Sequence, residues 1–500
     1  MSAFRWNLVA NYLGKGWSAI VSLAFIPVYL RYLGVEAYGL VGVQASLLAL
    51  LSLLDFGLSS AVTREFAALQ VETAATAKQR DLLRTLEPVY WGMGLLAGAI
   101  VALLATPIAR DWVNPGSLST QIVTQAILLI GLTIAAQWPI ALYNGGLNGL
   151  ERQVPQNALA ASMATVRALG AVAVLVLVAP TIQAFFVWQA LCSAVHALCA
   201  AVLLWRYLPR GAAPAQFRSA LLRRLLPMAL GMAGIAASSA ALTQLDKVIL
   251  SRLLPLEQFG YYTLATTAAG VLFHLVMPVF TAAFPRLSRL AAEPGRVGLR
   301  SAYSQASQVM AVTVLPVAAT LACFAGAVLQ LWTGDQAVAA AAALPLALLA
   351  AGNGINALVN PPFALRLAAG SLRPVVILNI LATLLMAPLA WVLIDRFGMP
   401  GGAAAWLVIN LLYLLVGVPF MHAGILPGET PRWMLRDVLP PLATAWLIAA
   451  LGAWMLPVEF PRLAQIVWIV TVGLLAGAGA VLASSTGRGF VIRNLLPRES

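Results

Sequence analysis

Charged residues are scarce in this sequence. They make up 9% of its 500 residues, whereas an ordinary soluble domain contains roughly 25%. Hydrophobic residues make up 61%, and the mean hydropathy is +0.89. A chain this apolar cannot bury its surface in one aqueous core, which excludes a soluble globular protein and predicts many membrane spans. Because the apolar runs last about 20 residues without the alternation of barrel strands, we predict an all-α polytopic membrane protein.

Cysteine, histidine and lysine are also rare, with three residues of each. The cysteines all fall in predicted spans, so we expect no disulfide framework. The histidines are far apart and form no metal-ligand spacing, and the patterns GxxxxGK[ST], HExxH, CxxC and GxSxG do not occur. We therefore expect no enzyme, no metal and no cofactor. A transporter without a nucleotide site must use an ion gradient, the membrane potential or the substrate's own gradient.

Apolar runs separated by polar breaks predict about fourteen transmembrane helices. Their approximate spans are 8–31, 38–62, 88–110, 121–146, 157–179, 182–206, 225–251, 259–284, 303–331, 337–362, 374–395, 401–421, 438–456 and 463–484. If the N-terminus is inside, most of the 30 Lys and Arg lie on the cytoplasmic side. The basic residues of the outer loops are Arg31, Arg110, Arg252, Arg396 and Arg462. This distribution predicts that both termini are cytoplasmic, and it explains the net charge of +13 without a nucleic-acid partner.

Two segments of the sequence match at a shift of 221 residues. The stretch RYLGVEAYGL, which starts at Arg31, matches RLLPLEQFGY, which starts at Arg252. We interpret the match as two parallel six-helix repeats, because each copy has an even number of spans, and substrate sites usually lie between such repeats. The predicted domains are an N-lobe, a cytoplasmic linker, a C-lobe, and two additional helices with a short cytoplasmic tail: 1–208, 209–224, 225–422 and 423–500.

Polar residues recur at helical spacing inside several predicted spans. A charge that faces lipid at mid-bilayer costs a few kcal/mol or more, so such residues normally face protein or water. We therefore predict that these stripes line one hydrated cavity shared by the two lobes. The five stripes, each on one helix face, are Asn11, Lys15, Ser18 and Ser22; Ser52, Asp55, Ser59 and Thr63; Gln137, Asn144 and Asn148; Ser239, Thr243, Asp246 and Lys247; and Asn353, Asn356 and Asn360.

Two carboxylates and two loop arginines have further predicted roles. Asp55 and Asp246 are the predicted ion-coupling residues, responsive to protons or sodium. Arg31 and Arg252 are predicted to lie at the outer mouth. Each interpretation has a structural alternative: ion pairs with neighbouring helices for Asp246 and Lys247, and a helix cap or ion pair for Asp55. For the amide stripes, the alternative is hydrogen bonding between helices.

Several quoted segments resemble a known family. FIPVYLRYLGVEAYGLVGV and LLDFGLSSAVTREFA resemble the N-terminal helices of polysaccharide-type flippases, and QLDKVILSRLLPLEQFGYYTLA resembles the start of their second half. ALYNGGLNGLERQVPQNAL is similar to their loop after helix 4. These flippases belong to the multidrug/oligosaccharidyl-lipid/polysaccharide (MOP) exporter superfamily. The resemblance in helix organisation covers roughly residues 8–420.

The resemblance implies a two-lobed transporter of the bacterial inner membrane that works by alternating access. Its substrate class would be a polyprenyl-pyrophosphate-linked glycan, moved from the inner to the outer leaflet. A pyrophosphate needs cations in a low-dielectric cavity, and Lys15, Arg167 and Lys247 are the candidates, with a packed ion pair as the alternative for Arg167. The sugar would meet the amides of Asn11, Gln137, Asn144, Asn353, Asn356 and Asn360.

Membrane lipid and a polysaccharide polymerase or export machinery are the other partners that the resemblance implies. Two different functions remain open. One is a cation-coupled antiporter for drugs or other small molecules on the same scaffold. The other is a membrane glycosyltransferase or polymerase, which the short outer loops disfavour, because such enzymes generally carry catalytic groups in a sizeable outer loop.

Overall fold

A computed structural model describes residues 2–55, 57–70, 75–209, 214–457 and 460–489, with side chains at all of these except 2–10, 12, 53, 75–77 and 224–240. Over these residues the chain is helical, and its one strand-like feature is an isolated parallel β-bridge between Asn114 and Pro255. All three cysteines are free. The predicted all-α fold class is confirmed.

The described residues of the first half of the chain form nine α-helices. They are α1 Ser2–Ala24, α2 Ile26–Leu51, α3 Leu58–Leu69, α4 Ala75–Leu103, α5 Ala105–Pro107, α6 Thr120–Gln137, α7 Ile140–Gly149, α8 Gln153–Leu177 and α9 Ile182–Tyr207. A 3₁₀ turn at Ser52–Asp55 leads into α3, and a π-helical turn at Ile108–Trp112 follows α5. Pro139 starts α7, so the predicted fourth span bends between α6 and α7.

The second half, over residues 214–457 and 460–489, forms twelve α-helices. They are α10 Ser219–Leu253, α11 Leu256–Ala269, α12 Val271–Ala292, α13 Leu299–Cys323, α14 Ala325–Thr333, α15 Gln336–Ala368, α16 Arg373–Phe397, α17 Met399–Leu412, α18 Val418–His422, α19 Glu429–Trp433, α20 Leu439–Trp454 and α21 Arg462–Ala483. Short 3₁₀ or π-helical turns lie at Pro294–Arg296, Tyr413–Gly417 and Met434–Val438.

The described residues contain 12 helical segments that are long and apolar enough to cross a membrane. These match all the predicted spans except the first and the seventh. Those two correspond to α1 and α10, which have 23 and 35 residues and whose side chains are described only in part. Either helix is long enough for a hydrocarbon core of about 30 Å. The chain is a multi-pass membrane protein.

The predicted break between the first two spans falls inside α2. Gly34 has φ +77° and ψ 167°, which is not a helical conformation. A residue with a side chain rarely adopts this φ, so glycine is required at this position. The break lies within the gap that the sequence predicts between residues 31 and 38.

The chain divides into two compact units. The N-terminal unit comprises Met1–Gln244 and Ser251–Gly260, and the C-terminal unit comprises Leu245–Leu250 and Tyr261–Ser500. In the first unit α4 packs on α6 and α6 on α9, while in the second α13 packs on α15 and α15 on α17. This common order agrees with the predicted repeat. In the second unit, α20 and α21 also pack against each other and against α13. The predicted domain boundaries at 209–224 and 423 stay predictions.

Small residues allow α4 and α6 to approach closely. A Cβ added to Gly98 would lie 2.7 Å from the carbonyl oxygen of Gly131, and one added to Gly131 would lie 2.9 Å from that of Gly98. A Cβ on Gly94 would lie 2.7 Å from the carbonyl oxygen of Ala135. Backbone contact through glycines is a common way to join helices in lipid, where apolar side chains gain little by leaving the bilayer. This contact fixes the position of α4, whose first turns carry several of the polar residues described below.

Candidate functional site

Arg167 lies in the middle of α8 and is partly buried. One guanidinium nitrogen, Nη2, donates to Ser193 Oγ on α9 at 3.2 Å, and Trp188 Nε1 donates to the Arg167 carbonyl oxygen at 3.0 Å. In the described part of the chain, no carboxylate lies within ion-pair distance of Arg167. The packed ion pair that the sequence leaves open is therefore not observed there. A guanidinium with five donors and one neutral partner retains capacity to bind an anion.

Lys15 and Asn11 lie on α1, which packs against α8. Asn157 of α8 donates from Nδ2 to Asn11 Oδ1 at 2.6 Å, and Trp17 donates from Nε1 to Thr165 Oγ1 at 2.9 Å. Lys15 is exposed and has no ion-pair partner among the described residues. The packing therefore places Lys15 and Arg167 on neighbouring helices, with Asn11 already engaged in a bond between those helices.

Asp55 accepts hydrogen bonds at the start of α3. Its Oδ2 accepts from the backbone nitrogen of Ser59 at 3.2 Å and from the Ser59 hydroxyl at 2.8 Å, and its Oδ1 accepts from Tyr90 OH at 3.1 Å. A carboxylate that binds the first free N–H groups of a helix is a capping arrangement. The structural alternative for Asp55 is therefore observed, and its predicted coupling role stays a prediction.

Asp246 and Lys247 pair with each other. Lys247 Nζ lies 3.3 Å from Asp246 Oδ1, and Tyr262 donates from its hydroxyl to Asp246 Oδ2 at 2.5 Å. Asp246 is buried, while 21% of the Lys247 side chain is exposed. An ion pair is the structural alternative for these two residues. The expected partners were on neighbouring helices, whereas the observed pair joins consecutive residues. Ser239, the first residue of this predicted stripe, has a side chain outside the described residues.

The asparagines of α15 bind neighbouring helices. Asn353 donates from Nδ2 to the Ala269 carbonyl oxygen at 3.0 Å and accepts from Trp406 Nε1 at 2.8 Å. Asn356 donates to Asn410 Oδ1 at 2.7 Å. Asn360 donates to the carbonyl oxygen of Asn356 at 3.2 Å. The amide groups of this stripe are therefore largely occupied by contacts within the protein.

Gln137 and Asn144, amides of a predicted stripe in the N-terminal unit, are not occupied in this way. Both side chains are half-buried, and neither makes a side-chain hydrogen bond to another described residue. Asn144 lies on α7, while Gln137 is the last residue of α6. Their donors and acceptors are therefore available to a ligand.

Arg252, a predicted outer-mouth residue, lies in a packed contact of the N-terminal unit. Its Cζ lies 5.4 Å from the ring centroid of Trp112, and its carbonyl oxygen accepts from Asn114 Nδ2 at 2.7 Å. Trp112 Nε1 donates to Ser251 Oγ at 3.0 Å. The other predicted residue, Arg31, is exposed.

The repeat-related glycines Gly39 and Gly260 make reciprocal contacts close to this region. A Cβ on Gly39 would lie 2.5 Å from the Leu256 carbonyl oxygen, and a Cβ on Gly260 would lie 2.3 Å from that of Val35. Val35 and Leu256 are themselves related by the 221-residue shift. Helices α2 and α11 therefore cross through equivalent residues, which explains why glycine occurs at both positions.

A pocket of about 1180 Å³ in the N-terminal unit was not predicted. It lies between the start of α4, α7 and the end of α9. Its polar and aromatic lining residues are Arg80, Arg84, Glu87, Trp91, Tyr143, Trp205, Arg206 and Phe217. Four of these, Arg80, Arg84, Glu87 and Trp91, are spaced i, i+4, i+7 and i+11 on α4, so they share one helix face. That spacing is the sequence signal that could have identified the pocket.

Hydrogen bonds hold the floor and one wall of this pocket. Glu87 Oε1 accepts from Trp205 Nε1 at 2.8 Å and from Tyr143 OH at 3.3 Å. The wall is the segment at 214–218, where Arg218 Nε lies 2.6 Å from Asp81 Oδ2. Asp81 also accepts from the Gln216 backbone nitrogen at 2.7 Å. The buried Asp81 thus fixes this segment against α4.

A model of the polysaccharide biosynthesis protein family matches residues 5–291, which is more than half of the chain. The chain belongs to the polysaccharide biosynthesis protein family. The predicted resemblance to polysaccharide-type members of the MOP superfamily is confirmed. The comparison with curated protein sequences found no match.

Solved structures show that this polysaccharide biosynthesis protein has the MOP transporter fold. It is similar to the lipid II flippase MurJ in an inward closed conformation, with 12% identity, 98% of this chain and 99% of that chain covered, and a TM-score of 0.67. An inward-facing MATE-family multidrug transporter has 16% identity, coverage of 82% and 94%, and a TM-score of 0.61. A MOP-superfamily transporter from Pyrococcus furiosus has 15% identity, coverage of 84% and 94%, and a TM-score of 0.52.

Proposed function

We propose that this protein is a flippase that moves a polyprenyl-pyrophosphate-linked oligosaccharide from the inner to the outer leaflet for surface polysaccharide export. The observation that carries the proposal is its membership of the polysaccharide biosynthesis protein family on a MOP fold. One structure of similar fold is named a lipid II flippase. The charge distribution favours a bacterial inner-membrane location with both termini in the cytoplasm.

Arg167 is the proposed first contact of the pyrophosphate. It is a cation inside a span, it has no carboxylate partner among the described residues, and its hydrogen bond goes to a neutral hydroxyl. Charge-assisted hydrogen bonds from a guanidinium to phosphate oxygens are strong and geometrically specific. The exposed Lys15 on the adjacent helix α1 would add a second positive charge. Lys247 is a weaker candidate, since Asp246 already neutralises it.

The available amides of the N-terminal unit are the proposed sugar contacts. Gln137 and Asn144 have unused hydrogen-bonding groups, which match the hydroxyl groups of a glycan. The asparagines of α15 are engaged within the protein, so we give them a structural role. Asp55 and Asp246 remain the proposed ion-coupling residues in an alternating-access cycle, and Arg31 and Arg252 lie at the proposed outer mouth.

The direct test is transport by the full chain reconstituted into liposomes. The vesicles would contain a fluorescent polyprenyl-pyrophosphate oligosaccharide, and its appearance in the opposite leaflet would be followed by lectin binding. We expect faster transfer than in protein-free liposomes. A transfer rate equal to that of protein-free liposomes, under every imposed proton and sodium gradient, would reject the proposal.

The same vesicles distinguish the antiporter hypothesis. A cation-coupled antiporter would move a cationic dye in exchange for protons or sodium ions, in the direction opposite to the imposed ion gradient, and leave the lipid-linked oligosaccharide in place. Because the MATE structures share this fold, the dye measurement is the necessary second arm.

A further inference from the structure

The unpredicted pocket of the N-terminal unit has an excess of positive charge. Arg80, Arg84 and Arg206 line it, and Glu87 is the acidic side chain among its lining residues. Glu87 is already bonded to Trp205 and Tyr143, so its charge is engaged at the floor. A cavity with three arginines and one committed carboxylate favours an anionic ligand.

The three arginines divide into one that is anchored and two that are available. Arg80 Nη1 donates to the Pro209 carbonyl oxygen at 3.3 Å, and its Cζ lies 5.3 Å from the centroid of Trp205. Its Nε is buried and makes no hydrogen bond in the described part of the chain. Arg84 and Arg206 are exposed, and neither has an ion-pair partner among the described residues. Arg84 lies near the start of α4 and Arg206 near the end of α9, so each of these helices brings one available guanidinium to the pocket.

Apolar side chains that face outward border the same pocket. Leu198 is 57% exposed, Val202 is 52% exposed and Phe217 is 56% exposed. The first two lie one turn apart on α9, which is long and apolar enough to cross a membrane, so they offer apolar surface to lipid chains. The pocket therefore combines a cationic interior with an exposed apolar border. Trp91 and Trp205 add amphipathic rings of the kind that is enriched at membrane interfaces.

We propose that this pocket binds the phosphate headgroup of an anionic membrane lipid. Arg84 and Arg206 hold the phosphate oxygens from two sides, Arg80 supplies further positive charge, and the acyl or prenyl chains lie along Leu198 and Val202. Basic pockets between transmembrane helices are a known form of lipid-headgroup recognition. Neither Arg167 nor Lys15 lines this pocket, and a glycerophospholipid probe, which is not the proposed transport substrate, tests it independently of that proposal.

The test is a titration of the purified full chain in detergent by native mass spectrometry. The probes are dioleoylphosphatidylglycerol, undecaprenyl pyrophosphate and inorganic phosphate. We expect both lipids to bind and inorganic phosphate to bind at least tenfold more weakly, roughly the loss expected when a few buried CH₂ groups are removed. The lipid whose affinity falls when the pocket arginines are replaced identifies the source of the headgroup.

The decisive variant is the double substitution Arg84→Gln with Arg206→Gln. Both side chains are exposed, so folding should be retained, and the thermal unfolding midpoint checks this. Lipid affinity should fall by on the order of tenfold for each arginine removed. The matched control, Arg64→Gln, removes another exposed arginine that does not line the pocket and should leave affinity unchanged. Equal lipid affinity in the wild-type chain and the double variant would overturn the proposal, as would inorganic phosphate that binds as tightly as the lipids.

Discussion

The first turns of α4 and α13 occupy equivalent positions in the two units, yet their polar faces meet different neighbours. At the 221-residue shift, Arg84 and Glu87 correspond to Gln305 and Gln308. In the N-terminal unit this face opens into the pocket of about 1180 Å³. In the C-terminal unit Gln308 is buried, and it donates to Asp437 Oδ1 at 2.6 Å and to Ser485 Oγ at 2.9 Å.

The partners of Gln308 belong to the two additional helices. Asp437 lies in the turn before α20, and Ser485 follows α21. The additional helices therefore cover Gln308 in one unit, whereas Glu87 borders the open pocket in the other. The covering is partial, because Gln305 and Gln308 border a smaller pocket of about 510 Å³.

The largest expected effect concerns the two intramembrane carboxylates. Replacing Asp246 with Asn removes the carboxylate from beside Lys247 and weakens the bond from Tyr262. We expect the free energy of unfolding to fall by about 2–3 kcal/mol. This is less than the full cost of breaking a buried pair, because Lys247 is partly exposed. Asp55→Asn keeps an acceptor oxygen for capping and should cost about 1 kcal/mol. Unfolding midpoints in detergent test the order, and equal losses would contradict it. Both variants should also weaken the gradient dependence of transport.

The next effect compares the covered and open faces directly. Gln308→Ala should lower the free energy of unfolding by about 2 kcal/mol, because the buried Asp437 loses the hydrogen bond that Gln308 donates. The equivalent change in the other repeat, Glu87→Ala, should cost about 1 kcal/mol, since Tyr143 and Trp205 border an open pocket and can bond to water. Thermal unfolding of the two variants checks this. A larger loss for Glu87→Ala would mean that the pocket floor, rather than the covered face, is the more strongly bonded structure.

The smallest expected effect on stability separates the two amide stripes. Asn356→Ala breaks a bond between helices to Asn410 and should cost about 0.6–1.7 kcal/mol. Asn144→Ala breaks no bond to a described side chain and should leave stability within about 0.5 kcal/mol of the wild type. In the liposome assay the order should reverse, with the slower transport in Asn144→Ala. If Asn356→Ala slowed transport more at equal folded fraction, the sugar contacts would belong on α15.

Hydropathy predicts the spans because the bilayer imposes a length and a polarity on every transmembrane helix. The repeat is predicted by the match of two segments at a shift of 221 residues. Partner choice is harder to predict. Asp246 and Lys247 are consecutive, and consecutive side chains on a helix normally point in different directions, so a pair with each other was not expected. Tyr262, which completes the group, comes from another helix.

The pocket illustrates a second limit of prediction from the sequence. Arg80 and Arg84 lie near a helix end, where membrane orientation already accounts for basic residues without a pocket. Tyr143 and Trp205 lie far along the chain, and only the packing of α4, α7 and α9 brings them together. A stripe on one helix could be found from the sequence, but its partners on other helices could not.

The measurement that tests the central claim most directly is the initial rate of lipid-linked oligosaccharide transfer by Arg167→Gln and Arg167→Lys, with Arg64→Gln as the control. If an unpaired intramembrane cation binds the pyrophosphate, the Gln variant should lose about tenfold or more, the Lys variant should retain part of the rate, and the control should match the wild type. A fully active Arg167→Gln protein, folded and inserted as the wild type is, would contradict the account.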